Sequence, residues 1–170
     1  MFKLRFPTTQ LSEWAVHNTD TSYLRLQNVI GPAASSRGYM ERDEFLELCA
    51  WKSPRTKSRC ASNSTSYIKE VTAVALSAKS EQLRIQAPTL LFGVNWPTAS
   101  VILHFCSKDC YPILDFRALW SLSIDTPPHY TFEFWWTYTE FCRDLAKSNS
   151  LTMRELDKAL WVYSKSKQNA

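Results

Sequence analysis

Residues 90–118 read L-L-F-G-V-N-W-P-T-A-S-V-I-L-H-F-C-S-K-D-C-Y-P-I-L-D-F-R-A, and this stretch decides how the rest of the chain is read. It joins a tight turn at Phe92, Gly93, Val94, Asn95, Trp96 and Pro97 to a short apolar helix over 98–105, and then to Asp115. Gly93 tolerates positive φ, and Asn95 is the next residue type most tolerant of the left-handed region. Pro97 suits the first turn of a helix. Those choices describe a helix, a hairpin and a second helix. In such a hairpin, successive backbone N–H groups and the following helix start point outward together, making a small anion site sized for one phosphate. The same residues also serve an ordinary helix-to-helix turn, so the local pattern alone leaves both readings open.

The helix after the hairpin carries His104, and Cys106 and Cys110 follow. Three candidate ligands with no fourth at a recognisable spacing make a poor zinc site, so no metal is expected. Asp115 follows Tyr111-Pro112-Ile113-Leu114 and precedes Phe116-Arg117-Ala118-Leu119-Trp120, an extended segment running into a helix. A carboxylate there is expected to cap the helix by accepting from an orphan N–H. A cap and a catalytic acid are compatible, because both need a carboxylate fixed at a helix start. Apolar neighbours on both sides strengthen its attraction for a nearby cation.

Outward from this stretch the pattern is helical. With 170 residues the chain fits one compact domain over 1–170, and 45% hydrophobic against 21% charged residues exclude a disordered segment. Only three Gly are present, against seven Trp, which favours helices over a sandwich of many strands and turns. Short helices are expected over 11–18 and 23–30, the second closed by Gly31-Pro32, with a loop over 33–38. A helix over 39–51 places Met40, Phe45, Leu48 and Cys49 on one face. The spacing of Ile68, Val71, Ala75 and Leu76 predicts a helix over 64–78. Another covers 80–91 and bends near Ala87 because of Pro88. Helices over 130–146 and 153–163 complete the chain, the first of them rich in aromatics, and the tail from Ser164 is expected to fray.

Charge narrows the partners. The net charge is +4 with a pI near 8.8, which permits a polyanion without requiring one. Lys52, Arg55, Lys57 and Arg59 lie within eight residues that hold no acid. This window is either a solvated face or a phosphate-attaching footprint beside Trp51, which could pack, wedge or stack. Five cysteines, an odd number in a chain large enough to form a core, argue against a disulfide scaffold. No signal peptide and no run of eighteen apolar residues is visible, so a cytoplasmic protein with no membrane association is expected.

In order and without a gap, Gly93-Val94, Thr98-Ala99, Ile102-Leu103 and Pro112-Ile113-Leu114-Asp115 resemble the core of the helix-hairpin-helix (HhH-GPD) DNA glycosylases, which include endonuclease III and the adenine DNA glycosylase. In that superfamily a Leu-Pro-Gly-Val-Gly hairpin is followed by a Thr-Ala helix and a catalytic Asp, preceded in the adenine enzyme by Phe-Pro-Ile-Leu. The resemblance covers 90–122 and implies an all-α, helix-hairpin-helix glycosylase-like bundle. It implies hydrolysis of the N-glycosidic bond of a damaged or modified base in double-stranded DNA, with the nucleotide flipped into a pocket. Asp115 would be the catalytic residue. Phe92, Gly93, Val94, Asn95, Trp96 and Thr98 would contact DNA, with Lys52, Arg55 and Lys57 adding charge. The sequence departs from the pattern in three places. Pro97 stands where bifunctional members keep a Schiff-base lysine, which implies a monofunctional enzyme using water. Asn95 replaces the second hairpin Gly and Phe92 the usual Pro. No cysteine follows Cys142, so no iron–sulfur cluster, and no other cofactor, is expected. A monomer is implied. The alternative is a non-catalytic helix-hairpin-helix DNA-binding or interaction protein in which Asp115 is only a cap.

Overall fold

Ser64, Ser80, Asn95, Asp115, Thr131 and Thr152 each cap a helix by accepting a backbone N–H from the first turn. These caps set much of the element order in a computed structural model that describes residues 1–168. The helices are α1 (Leu11–Val16), α2 (Gly31–Arg37), α3 (Arg42–Lys52), α4 (Lys57–Ala61), α5 (Thr65–Ser77), α6 (Glu81–Gln86), α7 (Trp96–Cys106), α8 (Phe116–Ser121), α9 (Phe132–Ser148) and α10 (Met153–Lys167). No strand occurs among the described residues. None of their helices is long and apolar enough to cross a membrane.

The described chain gathers into two compact units, where length suggested one domain over 1–170. One unit is Thr21–Cys110. The other combines Met1–Asp20 with the chain from Tyr111 onward. Sequence periodicity cannot show this division, because the first twenty residues join helices more than ninety positions away. Lys3 and Arg5 donate their amides to Leu122 and Ser121 carbonyls, at 3.0 and 2.9 Å.

In the Thr21–Cys110 unit, α7 is the central element. Residues 98–103, with Phe105 and Cys106, are buried, the polar Thr98 and Ser100 among them, and α2, α3, α5 and α6 pack around the helix. The helix expected to stop at Gly31-Pro32 instead continues. A π-type turn over Leu26–Ile30 runs directly into α2, which covers most of the expected loop and closes at Gly38, φ 86°. Pro32 lies inside this continuous run and has no N–H to give to the ladder, and the wider π-type turn stands immediately before it. Gly31 lets two backbones meet, because a Cβ there would stand 2.2 Å from the Phe105 carbonyl oxygen. Phe45, Leu48 and Cys49 are buried on α3, as their spacing predicts, whereas Met40, expected on the same helix, is buried ahead of its start and donates its N–H to Thr72 Oγ1 at 3.0 Å. A capping box between Glu41 and Glu44 starts α3. The bend expected at Ala87 is a 3-10 turn over Ala87–Leu90.

In the other unit, α10 packs along α1 and α8. The Ser121 hydroxyl donates to the Leu160 carbonyl at 2.6 Å between α8 and α10. Helix α9 buries Trp135, Tyr138, Thr139, Cys142 and Ala146 along one stripe. The tail does not fray at Ser164. That residue is buried and donates its hydroxyl to the Gln168 side chain, while α10 runs to Lys167; residues 169 and 170 lie outside the described part.

Candidate nucleic-acid interface and carboxylate

The hairpin is held by its own unit. Leu91 accepts the Val94 N–H at 3.1 Å, closing the turn, and Gly93 sits at φ 84°. A Cβ at position 93 would come within 2.7 Å of Cys60 Sγ and 2.9 Å of the Cys60 nitrogen. Glycine is therefore required twice, by conformation and by the approach of α4. Asn63 supplies a lock that the sequence does not reveal. Its Oδ1 accepts the Phe92 N–H at 2.9 Å, and its Nδ2 donates to the Phe92 and Cys60 carbonyls at 3.0 and 2.9 Å. Asn63 is buried, so its amide satisfies both the N–H and the C=O of Phe92 in a dry setting. A single Asn in a loop carries no local signal for this role, because its partner lies 29 residues away.

The start of α7 offers fewer donors than the bare pattern suggests. Asn95 Oδ1 accepts both the N–H and the hydroxyl of Thr98, each at 3.1 Å, and Pro97 has no N–H. Thr98 is buried, as is Val94. Of the six hairpin residues expected to contact DNA, Phe92 and Asn95 are exposed, and Gly93 and Trp96 are half-buried.

The basic window stands beside this hairpin. Lys52 ends α3, Arg55 lies in a 3-10 turn over Pro54–Thr56, and Lys57 and Arg59 are on α4. Arg55, Lys57 and Arg59 are exposed and Lys52 is half-buried. Because α4 supplies the Arg59 and Cys60 atoms nearest the Gly93 position, the cations and the turn share one neighbourhood. Trp51 is half-buried, donating Nε1–H to Ser22 at 2.9 Å and meeting Phe105 edge-on at 5.7 Å.

Among the described residues, no group of three or more His, Cys, Asp or Glu side chains is placed to hold a metal ion, so His104, Cys106 and Cys110 form no such set. Burial pushes the Cys106 thiol up to about 12.

Asp115 belongs to the other unit and is the N-cap of α8, as the sequence indicates: its Oδ1 accepts the Arg117 N–H at 2.9 Å. The extended segment before it is buried, from Tyr111 to Leu114. Tyr138 pins that segment by donating its hydroxyl to the Ile113 carbonyl at 2.8 Å. Tyr111 stacks on Trp135, with ring centres 5.8 Å apart and planes 18° from parallel. Asp115 itself is half-buried. Tyr130 feels its charge: burial first, and the Asp115 carboxylate second, hold the Tyr130 phenol above its ordinary range. Glu133 and Glu140 are exposed on α9.

No family model and no curated protein sequence matches the chain. A solved structure does. The Methanocaldococcus jannaschii 8-oxoguanine glycosylase/lyase, in complex with a 15mer DNA containing 8-oxoguanine, superposes with a TM-score of 0.53 at 18% identity, over 94% of this chain and 82% of that one. The chain has a helix-hairpin-helix DNA glycosylase fold. A structure of the 8-oxoguanine DNA glycosylase from the same organism matches at a TM-score of 0.47 and 19% identity, over 94% and 79%. Within this DNA glycosylase fold, an all-helical framework carries a locked hairpin in one unit and a capping carboxylate in the other.

Proposed function

We propose that the chain is a monofunctional DNA glycosylase that removes a damaged or modified base from double-stranded DNA, with water as the nucleophile. The supporting observation is Asp115, fixed at the start of α8 in the fold of a DNA glycosylase. The hairpin amides of Gly93, Asn95 and Trp96 are the donors assigned to a phosphate, and Lys52, Arg55 and Lys57 neutralise neighbouring charges. The target nucleotide rotates out of the stack. The N-glycosidic bond breaks and its electron pair leaves with the base. The ionised Asp115 carboxylate stabilises the cationic sugar that remains. Water then attacks C1′ and gives up a proton, for which Asp115 is the nearest assigned base, leaving free base and an abasic site. The departing base takes its proton from solvent. Pro97 offers no amine for an imine, and no cofactor enters the scheme.

The test is base release from a panel of lesion-bearing duplexes, starting with 8-oxoguanine, the base in the DNA of the similar structure. Release by the wild type, loss in Asp115→Asn with binding retained, and no covalent complex trapped by borohydride are expected. Binding without release across the panel would favour the second reading, a non-catalytic DNA-binding protein, which the Arg117-to-Asp115 capping bond also fits. A trapped adduct would assign lyase chemistry to an amine elsewhere.

A further inference from the structure

Beside Asp115, helices α8 and α10 carry an alternating set of rings and cations that neither capping nor base excision uses. Phe116, the first residue of α8, is 50% exposed. The Arg117 guanidinium carbon lies 5.1 Å from the Phe116 ring centre and 5.7 Å from that of Trp161. Lys165 Nζ lies 4.9 Å from the same Trp161 ring. The order is therefore Phe116, Arg117, Trp161, Lys165.

Two properties of this ladder point to a ligand. Its cations are seated on rings rather than on carboxylates. Arg117 Nη1 is buried with no hydrogen-bond acceptor among the described residues, and Asp157, the acid one turn before Trp161 on α10, is paired with Arg154 at 2.5 Å. Positive charge without a carboxylate partner suits an anion. The outermost member, in turn, is an aromatic face left open to solvent, and such a face stacks on a base without regard to its identity. A nucleotide joins an anion to a flat ring. Chain connectivity adds the location, because Phe116 adjoins Asp115, one Cα step of about 3.8 Å away.

We propose that Phe116, Arg117, Trp161 and Lys165 form a platform for an unpaired nucleotide, with the Phe116 ring stacked on its base and Arg117 and Lys165 neutralising the adjoining phosphate. Its placement beside the reaction rests on the glycosylase reading, but its binding does not. The platform takes the nucleotide exposed when the duplex opens, and so favours DNA that already holds an unpaired base.

Equilibrium binding of the full chain, read by fluorescence anisotropy, tests this with two labelled duplexes identical except for one unpaired base. Phe116→Ala is expected to weaken binding to the unpaired-base duplex about tenfold and to change the fully paired duplex less than about twofold, while Phe116→Tyr stays near wild type on both. Lys165→Gln should reduce the slope of log affinity against log salt by about 0.9 on the unpaired-base duplex. The platform is overturned if Phe116→Ala matches wild type on both duplexes. It is equally overturned if Phe116→Ala weakens both alike and lowers the melting temperature, which would mark the ring as structural. Base release is scored separately. A selective Phe116 effect without any release keeps the platform and removes the glycosylase reading, and release without that effect does the reverse.

Discussion

Asn63 and Phe92 are joined by two hydrogen bonds, N–H to Oδ1 at 2.9 Å and Nδ2–H to C=O at 3.0 Å. A buried side-chain amide thus takes the place of a neighbouring backbone for the exposed corner of the hairpin. Asn63→Ala leaves those groups to water or to nothing, and should cost about 1–2 kcal/mol, a fall of roughly 2–8 °C in Tm. Asn63→Asp keeps the acceptor and loses the donor, so it should retain part of the stability. Gly93→Ala should be worse than either. It forces a side chain into φ 84° and against the Cys60 backbone, at about 1–3 kcal/mol for the conformation before any clash. Thermal melts rank the three variants, and unchanged DNA affinity in all of them would remove the hairpin from the interface.

Asp115 is asked to do two things, and the substitutions that separate them are Asn and Ala. Asn caps a helix about as well as Asp, while Ala loses about 1 kcal/mol. Asp115→Asn should therefore melt within about 1 °C of wild type while losing base release, because an amide cannot stabilise a cationic sugar as a carboxylate does. Asp115→Ala should lose both. Full release by Asp115→Asn would leave the residue as a cap only.

The tyrosines near the acid make the stability of this unit sensitive to alkali. Tyr138, fully buried, is held well above the ordinary phenol range by burial and then by the neighbouring Cys142 and Asp157, and Tyr130 is raised by burial and Asp115. A group whose folded value is raised contributes stability that is complete below its unfolded value, near 10, and is lost as pH rises through the folded one. Tm should hold up to about pH 10 and fall above it. Tyr138→Phe should lower Tm at neutral pH by removing the bond to Ile113, and should flatten the alkaline fall. A profile as steep as wild type would place the alkaline sensitivity elsewhere.

Charge removal at Lys52, Arg55 and Lys57 should weaken binding to all duplexes alike. The slope of log affinity against log salt should shrink by about 0.9 for each phosphate that is no longer neutralised. Arg55 and Lys57 are exposed, so their removal should show the effect without loss of fold. An unchanged slope, measured between low and moderate salt, would exclude the window as a footprint.

The sequence alone determined the helical class, the core positions Phe45, Leu48, Ile68 and Ile102, the bend at Pro88 and the cap at Asp115. Each rests on a period or a bond within a few residues. The ordered run from Gly93 to Asp115 was legible for the same reason, since hairpin, helix and carboxylate are consecutive. Tertiary structure decided everything that depends on distant partners. Gly31 reads as a helix stop until Phe105 is seen against it, and that Asn95 takes both donors of Thr98 is visible only in the structure. Asn63, Tyr130 and Tyr138 carry no local pattern, because a side chain's partner across the fold leaves no trace in its own neighbours. The division into two units is of the same kind. It depends on residues 1–20 returning to the last third of the chain, an arrangement set by packing rather than by spacing.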